Sequence, residues 1–230
     1  MLRLYIALLD VHEPAARAAL TDRPAPDGLA GYVADRVMPA VVAATVAAGP
    51  PALAGAVRGD PGPRAAAVAA WLAGERQPAV AEYLARAASA PVLESLGDAG
   101  ALPRPRREGG CPRCGGPPQL SYLAESGELL LTAPRQLMCA RCGGFWVHER
   151  LSCAGCGERS SAARSIFSDD ERLPALSIEA CERCRRYLIM VDGRKDPGAV
   201  PVVDELAALP LDLYARERGF TKIAPNLMGI

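Results

Sequence analysis

The sequence carries no excess charge of either sign: 26 basic residues balance 26 acidic ones among 230. That removes the electrostatic pull toward nucleic acid or an anionic membrane, because both are held through a surplus of Lys and Arg. There is also no Ser/His/Asp set, no P-loop and no dinucleotide fingerprint. No export signal is visible, and none is expected. The apolar start, Met1 to Leu9, is broken by Asp10, His12 and Glu13, and no small-residue cleavage site follows. The longest other apolar stretch, Val37 to Ala48, is about a dozen residues and contains Pro39, short of the roughly 20 that a spanning helix needs. The expectation is a soluble, cytoplasmic chain that inserts in no membrane. Lysine is scarce, 2 against 24 arginines, which reads as genome composition and not as mechanism.

Cysteine is absent before position 111, and all eight then fall between Cys111 and Cys184. The absence divides the chain. Residues 1–96 read as a helical domain. Leu4, Leu8, Val11 and Ala15 recur at helical spacing, and further helices are predicted over Leu29 to Ala48, Arg64 to Ala73 and Pro78 to Leu96. Gly49-Pro50-Pro51 and Asp60-Pro61-Gly62-Pro63 break them. Residues 97–110, with Pro103, Pro105 and three arginines, read as a solvated linker. Beyond it the period shortens. Gln119 to Leu123 and Leu129 to Thr132 are strand candidates around a turn at Glu125 to Glu128, and Phe145 to Val147 and Tyr187 to Val191 are two more. A C-terminal helix over Val203 to Arg218 would place Leu206, Leu209, Leu213 and Tyr214 near one face, with Pro210 kinking or dividing it and Gly219 ending it. The fold class is therefore α+β.

The cysteines form four C-x-x-C pairs: Cys111/Cys114, Cys139/Cys142, Cys153/Cys156 and Cys181/Cys184. The gap inside the first two pairs is 24 residues, and so is the gap inside the last two. One C-x-x-C is weak evidence, whereas two matched quartets are strong evidence for metal. Two cysteines in one tight turn can both aim sulfur at one ion, and two such turns complete a tetrahedral S4 site. Glycine after the second cysteine eases the turn, and it is present as Gly115, Gly143 and Gly157, but Arg185 takes its place in the fourth pair. The modules fall at 111–148 and at 149–230, the second including the C-terminal helix. Tetrathiolate geometry suits zinc or iron and leaves no open position for hydrolysis. The equal gaps favour sequential pairing. The alternative is crossed pairing, with Cys139/Cys142 and Cys153/Cys156 on one ion. A redox dithiol is a further rival, although no thioredoxin-like βαβ pattern surrounds any pair.

Weaker candidates have plainer readings. His148 lies between cysteine pairs but is not needed as a ligand, because no cysteine is missing. His12 reads as an exposed helix residue, Asp169-Asp170-Glu171 as a solvated turn, and Trp71 and Trp146 as core anchors. A zinc-ribbon nucleic-acid binder is disfavoured, since residues 111–230 hold fifteen Lys/Arg and fifteen Asp/Glu.

Several stretches together resemble one family. They are Cys111-Pro112-Arg113-Cys114-Gly115, Leu137 to Cys142, Cys181-Glu182-Arg183-Cys184-Arg185-Arg186-Tyr187-Leu188, Val203-Asp204-Glu205-Leu206-Ala207, and Arg216 to Phe220 on to Pro225-Asn226-Leu227. The chain resembles the formate dehydrogenase accessory proteins of the FdhE type. The resemblance covers about half the chain and departs at Glu205, where a second aspartate is expected, and at a shorter start. It implies a helical N-terminal region followed by two tandem rubredoxin-like or zinc-ribbon metal modules. It implies that all eight cysteines are metal ligands. It further implies a cytoplasmic assembly factor that binds the catalytic subunit of formate dehydrogenase and supports its maturation. The alternative is redox or thiol chemistry on that client's cofactor.

Overall fold

The computed structural model describes residues 2–60, 62–97, 109–124, 134–227 and 229. The chain forms two compact units, residues 1–105 with 141–143, and residues 106–140 with 144–230. The linker expected at 97–110 lies almost wholly outside the described residues. So do the strand expected at 129–132 and the turn at 125–128.

In the first unit α1 (Leu2–Asp22) lays Leu4, Leu8 and Ala19 against its neighbours α3 and α6. The predicted helix over 29–48 is continuous but changes pitch: α2 (Leu29–Tyr32), a π-helical turn (Val33–Val37) and α3 (Met38–Ala48) follow without a break. By length and composition that segment could cross a membrane, while Leu29, Val33, Val37, Met38, Val41 and Thr45 are buried in the unit. Pro51, read as a breaker, instead opens α4 (Pro51–Arg58), because a first-turn proline loses no hydrogen bond. Next come α5 (Arg64–Ala73) and α6 (Ala79–Leu96). The centre of α6, residues 84–89, is buried throughout, since its alanines let neighbouring helices approach closely.

The second unit is built on one sheet. Its strands are β1 (Pro118–Leu123), β2 (Arg135–Cys139), β3 (Phe145–Val147), β4 (Arg164–Ser168), β5 (Leu176–Cys181), β6 (Arg186–Asp192) and β7 (Thr221–Lys222). The order β3-β2-β1-β6-β5-β4 is two antiparallel meanders joined by a parallel β1–β6 pair. Tyr187, Ile189 and Val191 of β6 and Leu176, Ile178 and Ala180 of β5 alternate onto one face. There they meet Ala208, Leu211, Ala215 and Phe220. Leu188 turns to the other face, with Leu137, Ala154 and Trp146.

The single C-terminal helix expected from the sequence is two, α7 (Pro201–Ala207) and α8 (Leu209–Glu217), divided just before Pro210. Its inner face also differs from expectation. Glu205, Ala208, Leu211, Asp212 and Ala215 are buried, whereas Leu213 and Tyr214 are exposed. The sheet demands small side chains there, plus two carboxylates that meet Lys222. Gly219, at φ +77, ends α8 as expected, with the Phe220 N–H returning to the Ala215 carbonyl at 3.0 Å.

Candidate metal centres

Each meander carries one C-x-x-C turn before its first strand and another after its second. Cys139 is the last residue of β2, and Cys181 the last of β5. In the first meander the turns close by Gly115 N–H to the Cys111 carbonyl (2.8 Å) and Cys139 N–H to the Gly144 carbonyl (2.9 Å). In the second they close by Gly157 N–H to the Cys153 carbonyl and Arg185 N–H to the Cys181 carbonyl, both at 2.9 Å. Gly115, Gly143 and Gly157 all adopt positive φ, and so does Arg185, at +55. The arginine keeps the backbone of the turn at a steric cost of about 1–2 kcal/mol. Its side chain is clasped in return. It pairs with Glu182, donates to the Arg218 carbonyl, and lies 3.8 Å from the centre of the Phe220 ring.

The turns bring the cysteines together as Cys111, Cys114, Cys139 and Cys142, and as Cys153, Cys156, Cys181 and Cys184. Within each set all four sulfurs lie within 4.8 Å of one another. The Cys153–Cys184 and Cys156–Cys181 sulfurs are 3.8 Å apart, and Cys114–Cys139 3.4 Å. A disulfide would need about 2.0 Å. A tetrahedron of sulfurs around an ion at ~2.3 Å has edges of about 3.8 Å. Both sets could therefore hold a metal ion.

The equal gaps of 24 residues conceal a difference. β1 pairs Pro118 with Cys139, but β4 pairs Arg164 with Cys181. The second copy thus has a turn four residues shorter and a lead-in from its first C-x-x-C four residues longer. The short 3₁₀ helix Ser161–Ala163 sits in that lead-in. After the second C-x-x-C the copies agree: Leu137 pairs with Trp146, and Glu179 with Leu188, at the same offset.

Environment separates the two sets. The first is fully buried, each cysteine 1–4% exposed. In the second only Cys181 is buried, Cys153 and Cys184 are half-buried, and Cys156 is exposed. Burial pushes the Cys153 thiol up to about 12, and Cys156 is raised in the same way. Burial acts on Cys184 too, but the backbone and guanidinium of Arg186 hydrogen-bond to it and hold it below the usual thiol range. The Arg186 guanidinium also donates to the Gly155 carbonyl, linking the two turns of this set.

Other candidates fall away from the cysteines. His148 bonds through Nε2 to Ser152 Oγ at 2.9 Å. Asp169 accepts the Arg172 N–H inside a turn between β4 and β5. Trp71 is buried and Trp146 partly so. His12 is half-buried, not exposed, because it lies on the α1 face that meets α6 and bonds to the Ala87 backbone.

Sequence reasoning missed two buried ion clusters. Arg135 pairs with Glu179 across the sheet, and also reaches Ser121 Oγ and the carbonyls of Glu149 and Ser152 just ahead of Cys153. Lys222 Nζ lies 2.8 Å from Glu205 and 3.1 Å from Asp212. Asp212 accepts the Tyr187 hydroxyl at 2.8 Å, and Glu205 accepts Gln119. The one usable signal was a scarce lysine in an arginine-rich chain.

A family model, "FdhE, C-terminal domain", matches residues 151–228. That match takes in the second cysteine set from Cys153 onward and the C-terminal helices. A "Protein FdhE homolog" of Aquifex aeolicus is 34% identical over 119 residues, covering 52% of this chain and 41% of that protein. One from Pseudomonas putida is 32% identical over 121 residues, covering 51% and 37%. The matched segment thus spans about two fifths of these FdhE relatives. Over nearly the whole chain the fold is that of the FdhE protein crystallised from Pseudomonas aeruginosa, with TM-score 0.62 and 22% identity, covering 98% of this chain and 94% of that one.

Proposed function

We propose that this chain is a cytoplasmic accessory factor that binds the catalytic subunit of formate dehydrogenase and supports its maturation, with its eight cysteines holding two zinc or iron ions. The observation that carries this reading is the coexistence of two complete S4 sets with the match of residues 151–228 to the FdhE C-terminal domain. Four protein ligands on each ion leave no position for a hydrolytic water. The metals then order a surface, and the protein acts by binding and not by turnover. Zinc would supply folding energy alone, and iron would add one-electron chemistry. No basic surplus in residues 111–230 supports a nucleic-acid partner. The helical domain (1–96), linker (97–110) and two modules (111–148 and 149–230) are proposed as the working parts.

The reading is tested by pull-down of the formate dehydrogenase catalytic subunit with the tagged full chain. Retention under at least one of aerobic or anaerobic conditions is expected, and absence under both would sink the reading. A second reading, redox or thiol chemistry on the client's cofactor, draws on the exposure of Cys156. A red protein that bleaches with dithionite favours it, and a colourless zinc protein argues against electron transfer.

A further inference from the structure

We infer that the two cysteine sets have different work: Cys111–Cys142 is a closed structural centre, and Cys153–Cys184 is an exchange centre at which Cys156 yields its place to an outside soft donor. The inference rests on the metal reading above and adds a direction to it.

Three observations coincide at the second set. Cys156 is the one exposed cysteine of the eight, while the first set is sealed on all four sides. The residue after it, Gly157, opens onto empty space, with nothing within 4 Å of where a Cβ would stand. The lead-in that follows Cys156 is also the longer one, so the strand after it begins four residues later than its counterpart in the first copy.

A set with one exposed ligand, two half-buried and one buried suits associative exchange at the exposed one. An incoming thiolate or chelating nitrogen bonds the metal as the bond to Cys156 Sγ breaks, and the released sulfur takes a proton from water. No electrons move, and the metal keeps four donors. Cys181 is held at the end of β5, and the Arg186 guanidinium ties the turn carrying Cys156 to the other through the Gly155 carbonyl. The remaining ligands are thus restrained while one leaves. The partner chemistry is a soft donor, a thiolate or a chelating nitrogen, not a carboxylate or phosphate.

The test uses the full chain loaded with zinc. Elemental analysis comes first, with two ions per chain expected. A chain that binds none overturns the metal reading and this inference with it. N-ethylmaleimide is then added with a zinc-sensing dye, and labelled peptides are mapped over time. One ion should leave at least about tenfold faster than the other, a barrier difference of about 1.4 kcal/mol. Label should appear first on Cys156, with Cys111 to Cys142 unlabelled until denaturant is added. Release of both ions in one phase, or first labelling in the 111–142 set, overturns the inference while leaving the metal reading intact. Cys156→Ser should remove the fast phase and leave the slow one unchanged. If that variant does not fold, the wild-type map decides alone.

Discussion

Arg185 shows how one residue can break a local rule and be kept by its neighbours. Its left-handed backbone is strained, and its side chain covers Phe220 and reaches the end of α8. Arg185→Ala keeps the strain and loses the clasp, whereas Arg185→Gly loses the clasp and the strain together. The alanine variant should therefore be less stable than the glycine variant by about 1 kcal/mol in chemical denaturation. Equal stabilities would mean the turn is not strained. His12 offers a pH signature. Burial holds its ring below the usual histidine range, against a weaker pull from the Ala87 backbone. A depressed histidine pKa means the unfolded chain takes up the proton first. The stability it allows is complete above the ordinary histidine pKa and is lost as pH falls through that value toward the depressed one. His12→Gln should flatten the loss of melting temperature between about pH 7.5 and 5.5. An unchanged slope would place the pH dependence elsewhere.

At the scale of elements, the C-terminal helices are held by charge as well as by apolar contact. Lys222 of β7 stands between Glu205 of α7 and Asp212 of α8, and all three are buried. Lys222→Met leaves two carboxylates without their cation and should cost about 3–5 kcal/mol. Adding Glu205→Gln and Asp212→Asn should recover much of that, as read from urea midpoints. A single variant within 1 kcal/mol of wild type would show the cluster to be dispensable. The same elements show what the sequence could and could not disclose. The helix at 64–73 and the strands at 118–123, 145–147 and 186–192 follow from period and punctuation, to within a residue or two at their ends. β2, β4 and β5 escaped notice because Arg135, Arg164 and Glu179 interrupt their apolar pattern, and two of those three charges are partners in one ion pair across the sheet. The inner face of α7 and α8 was misread for a related reason. Hydrophobic periodicity looks for leucines, while this helix pair buries alanine and two carboxylates whose cation lies in another element. The cysteine groupings, by contrast, were legible, because ligand spacing is a local property of the chain.

Across the whole molecule, any metal held by the cysteines would be coupled to the sheet. Both S4 sets sit at the ends of strands in one sheet. A structural tetrathiolate zinc contributes on the order of 10–16 kcal/mol to folding in small peptides. Stripping both ions with a strong chelator should abolish cooperative melting of the β signal and open residues 109–227 to trypsin. The helical signal of residues 2–97 should persist longer, because that unit has a core of its own. A metal-free chain that melts at the same temperature as the loaded one would show that the sheet stands without its ions.

The parallel β1–β6 seam also carries a consequence of symmetry. It joins the first strand of one copy to the third strand of the other, so the two copies meet through unlike edges. A head-to-tail joint of that kind has no built-in closure. Among the described residues it leaves a third-strand edge, β3, at one end of the sheet and a first-strand edge, β4, at the other. The character of the outer edges then bears on whether a second chain could add to the sheet. β3 has three residues and runs straight into His148, Glu149 and Arg150, the short and charge-flanked margin that discourages a further strand. Lengthening β3 or neutralising those neighbours would turn a pair of repeats into the seed of a filament.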